Sequence, residues 1–108
     1  MTRYIFWDQI PARKFLDITI ENIDNEEVII VRDGSYDVTA RLDIFCTIKC
    51  SDGNKDGGIS YCNNNDSVAL WNDGTDVLTL AVAANGQAAL QRTAGTKTFD
   101  ITFRAIWI

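Results

Sequence analysis

Residues Tyr36–Cys50 alternate in character along their whole length. The even positions (Tyr36, Val38, Ala40, Leu42, Ile44, Cys46, Ile48, Cys50) are apolar or small. The odd positions (Asp37, Thr39, Arg41, Asp43, Thr47, Lys49) are polar, and Phe45 is the exception. A period of two sends successive side chains to opposite faces, so this stretch is a β-strand with one buried and one wet face. At about 3.3 Å per residue an unbroken run would reach roughly 50 Å, longer than an ordinary strand, so a bulge or bend is expected partway.

The rest of the chain repeats this pattern in shorter pieces. Arg3–Trp7 is an aromatic strand, and Asp8–Lys14, with the single proline Pro11, is a connection. Phe15–Ile23 sets Leu16, Ile18 and Ile20 against Asp17, Thr19 and Glu21. Val28–Val31 is apolar throughout, as in a strand covered on both faces or at a subunit contact, and Asp33-Gly34 turns tightly into the long strand. Ser51–Ser67 is rich in Asn, Asp, Gly and Ser, broken only by Ile59, Tyr61 and Cys62, and reads as the longest irregular region. Val68–Trp71 is a strand, and Asn72-Asp73-Gly74 turns into Val77–Ala84, which has two uncharged faces. Asn85-Gly86 favours a type I′ hairpin into Gln87–Thr93, and Ala94-Gly95-Thr96 turns into Thr98–Ile108. No stretch carries a helical period. The expectation is one all-β domain over residues 1–108, an antiparallel β-sandwich or jelly roll of eight to nine strands, with a barrel as the alternative closure.

Composition narrows the function. The 108 residues carry a net charge of −5 with scattered basic residues, which excludes the clustered Lys and Arg of a nucleic-acid partner and disfavours an anionic membrane. Histidine is absent, which removes the commonest general base, the commonest metal ligand and every His-dependent triad. A protein that is not an enzyme is expected. Cys46 and Cys50 on one strand sit about 13 Å apart, too far to bridge. Cys62 can meet either one only if the strands bring them together. Three cysteines and no signal-peptide core before Tyr4-Ile5-Phe6-Trp7 favour reduced thiols.

Four constellations carry chemistry. Asp52, Asn54 and Asp56 alternate ahead of Gly57, with Ile59 two positions further and Ser60 next, the opening of an EF-hand-type loop. Calcium is the cation such oxygens would take. The bidentate Glu of that loop is replaced by Asn63, and an acidic, glycine-rich turn is the plainer reading, with no cofactor at all. Tyr61 and Trp71, flanking Asn63-Asn64-Asn65-Asp66, are candidate stacking faces for a glycan; the competing reading makes Trp71 a core residue. Asp37 and Asp43 would lie about 20 Å apart on a straight strand, too far to share a bond, so surface pairing with Arg41 is their expected use. Val77, Ala81, Ile106 and Ile108, with Trp7, exceed what one small core needs and are candidate contacts of a homo-oligomer.

The stretch Gly34–Phe45 resembles the glycine–aromatic–alternating strand of trimeric jelly rolls of the complement-C1q and tumour-necrosis-factor type. The tail, from Asn85-Gly86 through Gly95–Asp100 to Ile106-Trp107-Ile108, is similar to the ends of small β-domains in bacteriophage virion proteins: head decorations, head fibres and tail tips. The resemblance implies a non-enzymatic virion structural protein, made in the host cytoplasm without a signal peptide and assembling as a homo-oligomer, preferably a trimer. Its partner would be a capsid or tail protein or a host surface glycan, with no nucleic acid and no membrane. A carbohydrate-binding β-sandwich module, calcium-assisted through the Asp52 loop, is the alternative.

Overall fold

The computed structural model describes residues 1–7, 15–32 and 41–108. Among these described residues there are nine strands and no helix: β1 (Arg3–Trp7), β2 (Phe15–Ile23), β3 (Val28–Arg32), β4 (Leu42–Cys50), β5 (Lys55–Cys62), β6 (Asp66–Asn72), β7 (Val77–Val82), β8 (Ala88–Ala94) and β9 (Phe99–Trp107). They form two sheets, one of five strands in the order β1-β3-β8-β7-β6 and one of four in the order β2-β9-β4-β5. The Pro11 connection, the Asp33-Gly34 turn and the Tyr36–Ala40 half of the long alternating stretch lie outside the described residues.

The expected β-sandwich is present, and all pairings but one are antiparallel. The exception is β1, which runs parallel to β3, a pairing that a purely antiparallel jelly roll does not contain. Alternation decides what each strand buries. β4 turns Leu42, Ile44, Ile48 and Cys50 inward, with Cys46 half-buried, and leaves Phe45, Thr47 and Lys49 exposed. β9 lies between β2 and β4 and contributes Phe99, Ile101, Phe103 and Ala105 to the same core. Leu78, Leu80, Leu90, Val28 and Ile30 meet them from the five-stranded sheet. Fully burying such a side chain is worth about 1.5–3 kcal/mol, so this interdigitation is the main stabilising term.

The bulge expected in the long strand does not occur in its described part: β4 keeps unbroken register with both β5 and β9. Register shifts fall instead in β2 between Ile20 and Ile23, in β6 between Ala69 and Trp71, and where β7 starts. At the β2 shift Asn22 takes a φ of 55°. Its N–H donates to Asp100 Oδ1 at 2.9 Å, and the Arg3 guanidinium donates to the carbonyls of Glu21 and Asn22 at 2.6 and 3.1 Å. Ser51–Ser67 is not an irregular region, because Lys55–Cys62 within it is β5 and β6 begins at Asp66.

The two sheets are joined at both ends of β9. At one end, the Lys97 ammonium lies 3.2 Å from Asp52 Oδ2, 3.5 Å from Asp76 Oδ2 and 3.9 Å from Asp73 Oδ2. These carboxylates come from the β4–β5 and β6–β7 turns, the lysine from the β8–β9 turn. At the other end the indoles of Trp7 and Trp107 stack with centroids 6.0 Å apart.

Candidate functional site

The outward face of the four-stranded sheet is built from residues that cross-strand register places in rows. One row runs Phe15, Ile106, Asp43, Tyr61; the next runs Asp17, Arg104, Phe45, Ile59; the third runs Thr19, Thr102, Thr47, Gly57. Beyond these lie Asp100, Lys49 and Lys55, with Glu21 beside the β2 shift. The face therefore grades along the strands from aromatic and aliphatic, through hydroxyl, to charged.

The apolar end is open to solvent. Phe15 is 44% exposed, Phe45 48%, Tyr61 58% and Ile59 71%. Two arginines are fixed among them. Arg104 Nε donates to Asp17 Oδ1 at 2.8 Å while its guanidinium lies 4.9 Å from the Phe15 ring centroid. The hydrogen bond and charge of Asp17 push the Arg104 pKa further up. Arg41 Nε donates to Asp43 Oδ1 at 2.7 Å and its guanidinium lies 4.8 Å over Tyr61. Arg41 thus pairs as its sequence position implied, whereas Asp37 is outside the described residues. Between the apolar row and the threonines is a shallow trough of about 770 Å³, lined by residues of all four strands. A second trough, of about 490 Å³, runs from Thr19, Thr47 and Thr102 to Lys49, Lys55 and Asp100. The Thr19 and Thr102 hydroxyls are 3.0 Å apart.

The calcium-loop expectation is corrected by the backbone. Asp52 sits in a tight hairpin turn, where its carboxylate accepts from Asn54 N at 2.9 Å and Asn54 Nδ2 at 3.1 Å and also meets Lys97. Those bonds, the Asn54 amide first, hold the Asp52 pKa below its usual value. Asp56 and Ser60 lie on β5, an extended strand, about 13 Å apart at four residues' separation, and so do not converge on one centre. Asp56 Oδ1 accepts from Gly57 N at 2.8 Å. Among the described residues no group of His, Cys, Asp or Glu is arranged for a metal ion.

The glycan and oligomer candidates are divided by the fold. Trp71 is only 8% exposed, tilted against Phe99 at 5.5 Å, with its Nε1 donating to Asp73 Oδ2 at 3.2 Å. It has no free face for a sugar and belongs to the core. Tyr61 is exposed, but Arg41 covers one face of its ring. Val77 and Ala81 lie on β7 of the five-stranded sheet, whereas Ile106 and Ile108 lie on or just past β9 of the four-stranded one. These four residues therefore form no single patch on one protomer. The three cysteines are free thiols; Cys50 and Cys62 are buried and Cys46 is half-buried.

Sequence reasoning passed over Phe15, noted Phe45 only as out of phase and took Ile59 into the calcium-loop reading, so it did not join the three into one face. On the outer face of the five-stranded sheet it named Val77 and Ala81 but missed Tyr4 and Phe6, which parallel register sets beside Ile29 and Val31. Phe6 is 72% exposed there and Tyr4 58%. The chain matches no family model, no curated protein and no solved structure.

Proposed function

We propose that this chain is a non-enzymatic assembly protein of the virion type, a rigid brick that meets other protein surfaces through its sheet faces. The observation that carries this function is the presence of large apolar side chains on both outer faces. Phe45, Ile59 and Tyr61 stand out from one sheet, and Tyr4 and Phe6 from the other. Isolated exposed apolar residues are ordinary, but contiguous patches on a small domain mark contact surfaces. Aromatic residues and arginine are also the types that interface centres favour. A protein surface suits these patches better than a sugar does. The arginines already lie over Phe15 and Tyr61, and Ile59 and Ile106 offer aliphatic bulk in place of a flat ring.

The test is mass by light scattering over a range of concentrations, for the wild type and for Phe45→Asp and Phe6→Asp, together with assay of purified particles for the chain at a fixed copy number. Self-association weakened by at least one substitution, with the chain present in particles, is the expected result. A strict monomer that stays out of particles overturns the proposal.

A further inference from the structure

We propose that the outer face of the four-stranded sheet is the contact of a two-fold homodimer, with the axis lying in the plane of the face, parallel to the strands, between β9 and β4. This rests on the assembly function above and names its partner, a second copy of the chain.

Register and charge select this partner and this axis. A two-fold rotation about a line between β9 and β4 lays β2 over β5 of the partner subunit and β9 over β4 of the partner subunit. Each row then faces itself. Phe15 meets the partner's Tyr61, Arg104 meets the partner's Phe45 and Thr102 meets the partner's Thr47, while Asp17 and Asp43, each already paired with an arginine, meet the partner's Ile59 and the partner's Ile106. At the charged end Asp100 meets the partner's Lys49 and Glu21 meets the partner's Lys55. The acidic side chains of that end sit on β2 and β9 and the basic ones on β4 and β5, so the face is complementary to its own rotated copy. The other in-plane axis, across the strands, would set Glu21 on the partner's Phe15 and Asp100 on the partner's Ile106, so that neither of these carboxylates would face a lysine.

Two further observations agree. The side chains of Glu21, Lys49 and Lys55 enter no ion pair among the described residues, so they are available to a second chain. The size also fits. Four strands at ~4.8 Å and nine residues at ~3.3 Å give a flat footprint of roughly 570 Å², which side-chain relief raises toward the ~800 Å² per partner of a standard interface. Aligned sheets pack at about −30°, which displaces the corners by roughly one strand spacing, within reach of a lysine side chain. The contact is isologous, so it closes at two copies and leaves the Tyr4/Phe6 face free for a different surface.

The experiment is sedimentation velocity of the full chain at low salt for the wild type, Lys55→Glu, Glu21→Lys, the double variant carrying both, Phe45→Asp, and Phe6→Asp on the opposite sheet. All four positions are exposed, and far-UV circular dichroism checks that each variant is folded. A wild-type dimer is expected. Each single charge reversal should weaken it roughly tenfold, and the double variant, in which the charges have changed places, should recover most of that loss. Phe45→Asp should give monomer and Phe6→Asp should leave the dimer intact. An oligomer lost with Phe6→Asp but indifferent to Phe45→Asp and to the charge swap, or a three-fold mass, overturns the dimer while leaving the assembly function standing. A wild type that is monomeric at every concentration overturns the dimer; assembly then stands or falls on the particle assay alone.

Discussion

Gly95→Ala should destabilise this protein far more than the same substitution at Gly53 or Gly74, although all three glycines have nearly the same backbone conformation. Their φ angles are +91°, +93° and +88°, a region that L side chains adopt at a penalty of about 1–2 kcal/mol. At Gly53 and Gly74 an added methyl meets nothing within 4 Å, so only that penalty applies. At Gly95 the methyl overlaps the Asp76 carboxylate and lies 2.8 Å from Asp76 Cα. Asp76 is 1% exposed, and its Oδ1 accepts from Thr96 N at 2.8 Å and Lys97 N at 2.9 Å. Moving the carboxylate leaves two backbone amides without their acceptor, at roughly 1 kcal/mol each. The sum is about 3–4 kcal/mol for Gly95→Ala against about 1–2 for the other two. At roughly 4 °C per kcal/mol for a domain of this size, thermal melts should fall by about 12–16 °C and about 4–8 °C respectively. Adding Gly95→Ala to a chain already carrying Asp76→Ala should then produce a smaller drop than in the wild type, because the carboxylate is gone and only the close approach to the Cα of residue 76 remains. Melting temperatures for Gly95→Ala and Gly74→Ala that agree within a degree or two would refute the reasoning.

Three more outcomes are expected. Asp52, Asp73 and Asp76 titrate below the ordinary carboxylate range, chiefly because backbone amides of Asn54, Asp76 and Lys97 respectively donate to them, and Asp73 is lowered to about 2. Depressed native pKa values mean stability that is complete above the unfolded value of about 4 and is lost as pH falls through the native values. Urea midpoints should therefore decline only below that pH, and Lys97→Met, which removes the shared cation and lets the native values rise toward the unfolded one, should lower the midpoint near neutrality and shrink the decline in acid; an unchanged acid profile counts against the cluster. Millimolar calcium should leave the melting temperature where it is, since Asp52, Asp56 and Ser60 do not converge, and a clear rise would reinstate the loop as a site. Burial pushes the Cys46 and Cys62 thiols up, so a thiol reagent at mildly alkaline pH should react slowly with the native chain and rapidly after unfolding. Native reaction at the rate of free cysteine would contradict the burial of these side chains.

What sequence could reveal was governed by burial. β2, β4 and β9 each bury one face, so their period of two was visible, and the sandwich followed. β5 was hidden for the converse reason. Only Cys62 of its residues is fully buried, and the strand is held to β4 by backbone pairing, which leaves no mark on side-chain pattern. The calcium loop arose from the same stretch: Asp52, Asn54 and Asp56 alternate in a chain that is a turn and then a strand, where alternation sends side chains apart. Phe45 was visible as an apolar residue out of phase. Its meaning lay in Phe15 and Ile59, far away in sequence, and only the strand order β2-β9-β4-β5 brings them together. The pairing of Lys97 with acids from two other turns was unreadable for the same reason, whereas the local bidentate pair of Arg41 and Asp43 was accessible.

The two fastenings at opposite ends of β9 differ in kind, and so each should yield to a different solvent. The Lys97 cluster is ionic and fails when acid protonates its carboxylates. The Trp7–Trp107 stack carries no charge and yields to agents that dissolve aromatic surface, such as urea. The sandwich can therefore open like a book from either edge of the page, with the chemistry of the medium choosing the edge. Amide exchange followed in mild acid should loosen first around Ser51, Asp73 and Thr96, and in mild urea first along β1 and the end of β9. A protein of this construction has no single weakest point; its order of opening is a property of its surroundings as much as of its fold.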